Sequence, residues 1–224
     1  MDPSRPERQL VTGLVLAGGR GSRMGGLDKG LQLLDGQPLV WHALERLRPQ
    51  VGALAINANR HHDAYAAFGV PVWPDALADF PGPLAGMLAG LAALEGSQTE
   101  WLVTVPCDTP RFPVDLVARL FAAAREAGAR AAMPVTTEGE AAGAAGPAKP
   151  QPPQPQPVFC LLHRSLRPAL EAALAGGERK IERFTRGQGQ VLVPFDDADA
   201  FFNANTLEEL ERLRGMAPRR PSGD

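Results

Sequence analysis

The sequence contains few residues of the type that builds covalent or metal-held scaffolds. Only two of its 224 residues are cysteines, Cys107 and Cys160, and they lie far apart without a CxxC spacing. Paired or clustered cysteines are the usual mark of a disulfide framework or a structural zinc site. The cysteine content therefore excludes both kinds of scaffold.

Long apolar runs and a net charge of one sign are missing as well. No apolar run reaches the length of about 18 residues that a membrane-spanning helix needs, and the polar residues 1–10 lack the apolar segment of a signal peptide. The 23 basic and 25 acidic residues give a net charge of −2, which excludes a general affinity for nucleic acid or anionic membranes. We expect a soluble, cytoplasmic protein with no nucleic-acid or membrane partner, in which any anion binding is local.

Lysine is the scarcest charged residue. Three of the 23 basic residues are lysines, which leaves 20 arginines. One of the three, Lys29, lies in a glycine-rich stretch directly after an apolar run. A compact ammonium group suits close contact with phosphate oxygens where the broad fork of arginine does not.

The hydrophobic pattern indicates the fold class. Short β-branched apolar runs alternate with segments of helical period, and 44% of the residues are hydrophobic. This alternation predicts an α/β fold, a three-layer sandwich with a mostly parallel sheet. Strands are predicted at 11–16, 53–57, 70–73, 101–105, 158–162 and 190–195, and helices are predicted to begin near Pro38, Pro83, Pro113 and Thr206.

The length and the composition predict one domain. We expect a single domain over residues 11–215, preceded by a flexible extension at 1–10 and followed by a flexible tail at 216–224. Residues 137–157 carry six prolines in their last eleven positions and no apolar period. We interpret them as a proline-rich loop inserted between two strands.

The glycine-rich stretch is typical of a phosphate-binding loop. Eight of the 24 glycines lie between Gly13 and Gly36, where a backbone without Cβ atoms can curl around an anion. Arg20, Arg23 and Lys29 add positive charge at the carboxyl end of a predicted strand, where open α/β sheets bind ligands.

Two common phosphate motifs do not fit this stretch. A Walker A loop needs Lys-Ser/Thr after its second glycine, but Leu27 and Asp28 follow Gly26. A dinucleotide fingerprint needs a third glycine where Met24 stands. The loop therefore belongs to another class of phosphate site.

Six blocks of sequence, taken in order, resemble the molybdenum cofactor guanylyltransferase family of nucleotidyltransferases. They are LAGGRGSRMGGLDK at 16–29, NANR at 57–60, Asp75, PGPLAGM at 81–87, CDTP at 107–110 and FFNANTLEEL at 201–210. The resemblance runs over nearly the whole chain. It implies a fold of the nucleotide-diphospho-sugar transferase, Rossmann-like type.

The resemblance also implies an activity. Members of this family transfer GMP from GTP to the terminal phosphate of molybdenum-molybdopterin, which releases pyrophosphate and forms the guanine dinucleotide cofactor. It implies GTP and the molybdenum-bearing pterin as substrates, Mg²⁺ as the metal, and proteins that deliver or receive the molybdenum cofactor as partners.

The site residues follow from the same resemblance. It implies catalytic roles for Lys29, Asp108 and Arg23, with Asp108 also as the Mg²⁺ ligand. Nucleotide binding is assigned to Leu16, Ala17, Gly18, Gly19, Arg20, Lys29, Asn57, Asp75 and Asp108. Acceptor binding is assigned to Gly82, Pro83, Asn203 and Asn205. The residues alone leave two roles open for Asn205, a ligand or the cap of the last helix.

Three alternatives remain at this point. The cytidylyl-transferring relatives usually read LAAG in the loop, so Gly18-Gly19 favours guanine, and another small-molecule nucleotidyltransferase shares the first block. A rival of a different class is a nucleotide sensor or cofactor chaperone that binds without catalysis on the same fold.

Overall fold

The fold consists of short strands and helices in the predicted alternation. The computed structural model describes residues 5–18, 28–75, 82–136 and 152–215. The strands are β1 (Val11–Leu16), β2 (Leu33–Leu34), β3 (Gln37–Pro38), β4 (Ala53–Asn57), β5 (Val72–Trp73), β6 (Trp101–Pro106), β7 (Ala131–Thr136), β8 (Gln154–Pro155), β9 (Cys160–His163) and β10 (Val191–Phe195). The α-helices are α1 (Arg5–Arg8), α2 (Leu39–Leu47), α3 (His62–Ala66), α4 (Pro83–Ala93), α5 (Leu116–Glu126), α6 (Arg167–Ala175), α7 (Ile181–Gly187) and α8 (Leu207–Gly215).

One sheet organises the described residues. Its strands follow the order β10-β7-β9-β6-β1-β4-β5, and β8 pairs with the end of β7. β1 pairs in parallel with β4 and with β6, as do β4 with β5 and β7 with β10. Among the described strands of this sheet, only β9, between β6 and β7, and the short β8 run antiparallel to their neighbours. The prediction of a mostly parallel sheet is confirmed.

Helices cover both faces of this sheet. Along β6, Val103 and Val105 belong to one buried apolar cluster and Leu102 belongs to the other, because alternate residues of a strand point to opposite faces. The first cluster includes buried apolar residues of α2 and α5, and the second includes buried apolar residues of α4 and α6. The three-layer arrangement is therefore confirmed, and both faces of β1 are sealed from water, as a parallel strand requires.

Several predicted local features are confirmed and a few bounds differ. Asp35 and Gly36 form the β2–β3 turn with φ angles of 51° and 80°, the left-handed values that a two-residue hairpin demands. The strand predicted at 70–73 contains only Val72–Trp73, and the one predicted at 158–162 begins at Cys160. The helix expected from Pro113 begins at Leu116, because a turn at 114–115 precedes it.

The predicted division of the chain remains a prediction. Within the predicted extension, Arg5–Arg8 form one helical turn, and the Arg8 side chain donates to the carbonyl of Pro49. Most of the proline-rich insertion lies outside the described residues, and its last part forms the exposed strand β8.

Candidate nucleotide-binding site

The predicted site residues that the structure describes at the ends of β1, β4 and β6 lie at one edge of the sheet. β1, β4 and β6 are parallel neighbours, with Leu16 level with Asn57 on one side and with Pro106 on the other. The carboxyl ends of parallel strands are where open α/β sheets bind ligands. Adjacent strands are about 4.8 Å apart, so residues that follow β4 and β6 flank the segment that follows β1.

Lys29, Asp108 and Asn205 form one cluster at this edge. The Lys29 Nζ atom lies 3.4 Å from Asp108 Oδ2 and donates to Asn205 Oδ1 over 2.6 Å. The two charged side chains are partly buried, with 24% of Lys29 and 17% of Asp108 exposed. The structure thus brings Lys29 together with Asp108, 79 positions further along the chain, and with Asn205, 176 positions further along.

Asn203 completes the cluster through Thr109. The buried Thr109 hydroxyl lies 3.4 Å from Asp108 Oδ1 and also bonds to Asn203 Oδ1. The backbone adds a direct link, because the Ala204 N–H donates to the Asp108 carbonyl over 2.9 Å. The segment at 203–205 is therefore held against the end of β6.

The side chain that caps α8 belongs to Thr206 and not to Asn205. The Glu209 N–H donates to the Thr206 hydroxyl over 3.1 Å, and the Thr206 N–H donates to Glu209 Oε2 over 3.0 Å. These reciprocal bonds are a capping box, as the spacing of Thr206 and Glu209 predicts. The Asn205 side chain instead accepts the hydrogen bond from the Lys29 ammonium. A ligand role for Asn205 remains a prediction.

Asn57 and Asp75 form a second cluster, on the other side of β1. The buried Asn57 donates from Nδ2 to Asp75 Oδ1 over 2.9 Å and to the Trp73 carbonyl over 2.9 Å. Asn59 Nδ2 donates to Asp75 Oδ2 over 2.8 Å, and Asn59 Oδ1 accepts from the Asp75 N–H over 2.8 Å. Both carboxylate oxygens are therefore oriented by amide groups.

The start of the glycine loop lies against this second cluster. The Ala17 N–H donates to the Asn57 carbonyl over 2.9 Å, and the Leu16 carbonyl accepts from the Cys107 N–H over 3.2 Å. A Cβ atom on Gly18 would lie 3.2 Å from both Asn57 Oδ1 and Asn59 Nδ2. Gly18 therefore lets the backbone pass close to the amides, and Leu16–Gly18 run between the two clusters.

The amino end of α4 packs against the site from the layer that α4 forms with α6. Gly82 has φ 133° and precedes Pro83, the first residue of the helix. One turn later, a Cβ atom on Gly86 would overlap Asn57 Oδ1 and lie 2.9 Å from a methyl group of Leu16. α4 thus packs directly on the Asn57 side chain.

Gly86→Ala is expected to weaken nucleotide binding. The added methyl group displaces the Asn57 amide from Asp75, and the loss of a hydrogen bond to a charged group corresponds to about a tenfold rise in KM for the nucleotide. Steady-state kinetics against nucleotide concentration measures the change.

Gly90→Ala is the matched control, one turn further along α4. Its Cβ atom would lie 2.7 Å from side-chain carbons of Leu14 and Leu102, so it disturbs only the apolar core. Overpacking of this kind costs about 1–3 kcal/mol of stability and leaves KM unchanged. Equal KM values for the two variants would contradict the role of Gly86.

The donor set around Asp108 suits a hard divalent cation. The cluster offers the carboxylate of Asp108 and the side-chain oxygens of Asn203 and Asn205, all within one hydrogen-bonded group. Mg²⁺ is commonly held by one or two carboxylates and completed by substrate phosphates. In the described ranges, no group of three or more His, Cys, Asp or Glu residues lies close enough together to hold a metal ion. The residues therefore fit a metal that arrives with a nucleotide.

Cys107 precedes Asp108 but does not add a nucleophile. Its side chain is buried, and burial, followed by the neighbouring Asp108 charge, raises the pKa of the thiol well above its usual value. The thiol stays protonated at neutral pH and acts as a small apolar side chain.

Three predicted residues fall outside the described ranges, and two unpredicted ones join the site. Gly19, Arg20 and Arg23 are in the undescribed part of the loop, so their roles remain predictions. Asn59 and Thr109 were not predicted. The available signals were the spacing Asn57-x-Asn59 after a strand and, for Thr109, its place in the CDTP block at 107–110.

None of the helices in the described ranges is long and apolar enough to cross a bilayer.

Comparison with known proteins places the chain in a family. A family model described as a MobA-like NTP transferase domain matches residues 13–191. A relative from an Acidovorax species, named molybdenum cofactor guanylyltransferase, is 54% identical over 213 residues, which are 93% of this chain and 97% of that relative. The chain belongs to the molybdenum cofactor guanylyltransferase family. A family member from Ralstonia nicotianae is 56% identical over 203 residues, which are 91% of this chain and 95% of its own length.

Solved structures agree with the fold. The crystal structure of molybdopterin-guanine dinucleotide biosynthesis protein A from Archaeoglobus fulgidus is 24% identical, with a TM-score of 0.67 over 91% of this chain and 97% of that one. CMP:2-keto-3-deoxy-manno-octonic acid synthetase, solved with CTP, is 15% identical with a TM-score of 0.67 over 93% and 97% of the two chains. The fold class predicted for this guanylyltransferase family member is confirmed.

Proposed function

We propose that the chain transfers GMP from GTP to the terminal phosphate of molybdenum-molybdopterin, with release of pyrophosphate. The observation that carries the proposal is the meeting of Lys29 with Asp108, 3.4 Å apart, beside the carboxyl end of β1. A cation for phosphates and a carboxylate for a metal then share the edge of the sheet with the Asn57–Asp75 cluster. The family relatives named for this activity support the same proposal.

In this reaction the protein mainly positions the two substrates and neutralises the charge on the phosphates. A phosphate oxygen of the acceptor attacks the α-phosphorus of GTP in line, and the bond to the leaving pyrophosphate breaks. Lys29 neutralises charge on the phosphates, and Arg20 and Arg23 have the same role in the part of the loop beyond Gly18. Fixed cationic groups of this kind stabilise the charge that develops in the transition state.

The remaining site residues have binding roles. We assign Leu16–Gly19 to the nucleotide wall, and Asn57 and Asp75 to guanine and ribose. The acceptor phosphate is assigned to the amino end of α4 at Gly82 and Pro83, because the amino end of a helix favours anions, and to Asn203 and Asn205.

Mg²⁺ is the metal we propose for this site. Asp108 would hold it, with the amide oxygens of Asn203 and Asn205 beside it. When bound, it supplies charge neutralisation at the triphosphate. The chain's own residues still bind, orient and shield the two substrates.

The proposal also includes protein partners and a location. We propose that one group of proteins delivers the molybdenum-bearing pterin to this enzyme and that another group receives the dinucleotide product. We also propose a cytoplasmic location, where GTP is available.

Pyrophosphate release tests the activity directly. The purified protein is incubated with Mg²⁺ and each of the four nucleoside triphosphates, with and without the molybdenum-bearing pterin. We expect pyrophosphate only when GTP and the acceptor are both present, together with a guanine dinucleotide product in the mass spectrum.

The other outcomes separate the alternatives. Equal use of CTP would contradict the guanine assignment. Nucleotide binding without pyrophosphate release would favour a sensor or chaperone on the same fold.

A further inference from the structure

Tyr65, the only tyrosine of the chain, is buried against the turn that carries Lys29, residues 28–31, which we call the lysine turn. It lies on α3, its side chain is fully buried, and its hydroxyl donates to Asp28 Oδ1 over 2.5 Å. Burial, followed by the hydrogen bond to Asp28, raises the pKa of Tyr65. The hydroxyl is therefore protonated at neutral pH and remains a donor.

Asp28 in turn fixes the backbone on both sides of Lys29. Its Oδ1 atom accepts from the Gly30 N–H over 3.1 Å, and its carbonyl accepts from the Leu31 N–H over 3.2 Å. Residues Lys29–Leu31 form a single 3-10 turn with Asp28 as its cap. A turn this short has little stability of its own, so its position depends on contacts with its surroundings.

The Tyr65 ring also contacts the far side of the turn. A Cβ atom on Gly30 would overlap the Tyr65 hydroxyl and lie 3.3 Å from two carbons of the ring. The phenol thus packs against the Gly30 backbone and bonds to Asp28, the two neighbours of Lys29. Above the turn, the Lys29 ammonium lies between Asp108 Oδ2 and Asn205 Oδ1.

We propose that the Tyr65 hydroxyl is a positioning group for Lys29, which anchors the 28–31 turn so that the ammonium meets the nucleotide phosphates. This inference rests on the proposed function. It adds a residue that lies in none of the sequence blocks of the family and whose side chain is fully buried. Tyr65 acts only through Asp28 and Gly30.

Tyr65→Phe tests the link because it removes one hydroxyl and keeps the ring. We expect kcat/KM for GTP to fall about tenfold, since small displacements of a catalytic group are costly to the rate. In a double-mutant cycle with Lys29→Ala, the second substitution is expected to add no further loss. Fully additive losses would overturn the proposal, because they mean that the hydroxyl does not act through Lys29.

A matched control separates positioning from stability. Thr185 on α7 is also fully buried, and its hydroxyl donates to the Ile181 carbonyl of its own helix over 2.9 Å. Thr185→Val removes a buried hydroxyl away from the lysine turn. We expect it to lower the melting temperature while kcat/KM stays at the wild-type value. An equal kinetic loss in this variant would overturn the positioning role of Tyr65.

A spectroscopic measurement tests the same link without any substrate. The chain has only three lysines, so ¹³C-methylation of their amino groups gives three side-chain signals that single Lys→Arg variants assign. Tyr65→Phe is expected to shift the Lys29 signal and to leave that of Lys180, exposed at the start of α7, in place. An unmoved Lys29 signal would overturn the inference, whereas an inactive wild-type enzyme with a shifted signal would overturn only the proposed function.

Discussion

Asp108→Asn is expected to lower kcat by about 10³-fold, the upper range for loss of one preorganised electrostatic group. The substitution keeps the shape of the side chain but removes the carboxylate charge that we assign to the metal. Turnover with GTP and acceptor at increasing Mg²⁺ concentration measures the loss. A higher Mg²⁺ concentration is expected to restore activity in part, because the amide remains a weak oxygen ligand.

The fold is expected to survive this change. In the free protein, the Lys29 ammonium keeps its bond to Asn205 Oδ1 when the Asp108 charge is removed. Partly exposed ion pairs contribute little to stability, so the melting temperature is expected to change by less than about 4 °C. Asp115→Asn is the control, since the Asp115 side chain is 55% exposed and pairs only loosely with Arg119 at 3.7 Å. Wild-type kcat in Asp108→Asn would refute the metal role.

Lys29→Ala is expected to lower kcat/KM for GTP by about 10²-fold, because fixed charge on the phosphates is lost at the moment of transfer. Lys29→Arg is expected to recover only part of this activity. The ammonium lies between two oxygen atoms at 2.6 and 3.4 Å, and a guanidinium is broader and more rigid. Initial rates over a range of GTP concentrations separate the effect on KM from that on kcat.

Lys180→Met is the matched control for this prediction. Lys180 is exposed at the start of α7, so loss of its charge tests whether any lysine affects the rate. We expect wild-type kinetics for this variant. The role of Lys29 would be contradicted if Lys29→Ala retained wild-type kcat/KM, or if Lys29→Arg restored it in full.

Local sequence patterns predicted the elements well where short-range chemistry decides them. The Asp35-Gly36 turn, the apolar stripe of α2 and the capping box at Thr206 and Glu209 involve residues no more than a few positions apart. Bounds were less accurate at β5 and at the start of α5, where tertiary contacts decide how far a strand or helix extends. The predicted roles of Arg20, Arg23 and Gly19 fall outside the described residues and remain predictions.

The sequence also predicted which segments form the site, but it did not predict their geometry. The family resemblance predicts ligand-binding segments around Lys29, Asn57, Asp75, Asp108 and Asn205, and these roles remain predictions. Which of them meet could not be predicted, because their contacts join positions separated by as many as 176 residues. Such pairs form only when the parallel strands align their carboxyl ends.

The amino-acid sequence by itself determined the alternation of strands and helices, the glycine loop and the family. Only the tertiary structure decided that Asn205 meets Lys29 instead of capping α8, that Asn59 shares Asp75 with Asn57, and that Tyr65 supports the lysine turn. The physical reason is the range of the interactions. Turns and caps are closed by neighbours in the chain, whereas a buried hydroxyl or amide finds its partner only after the sheet and its helical layers have packed together.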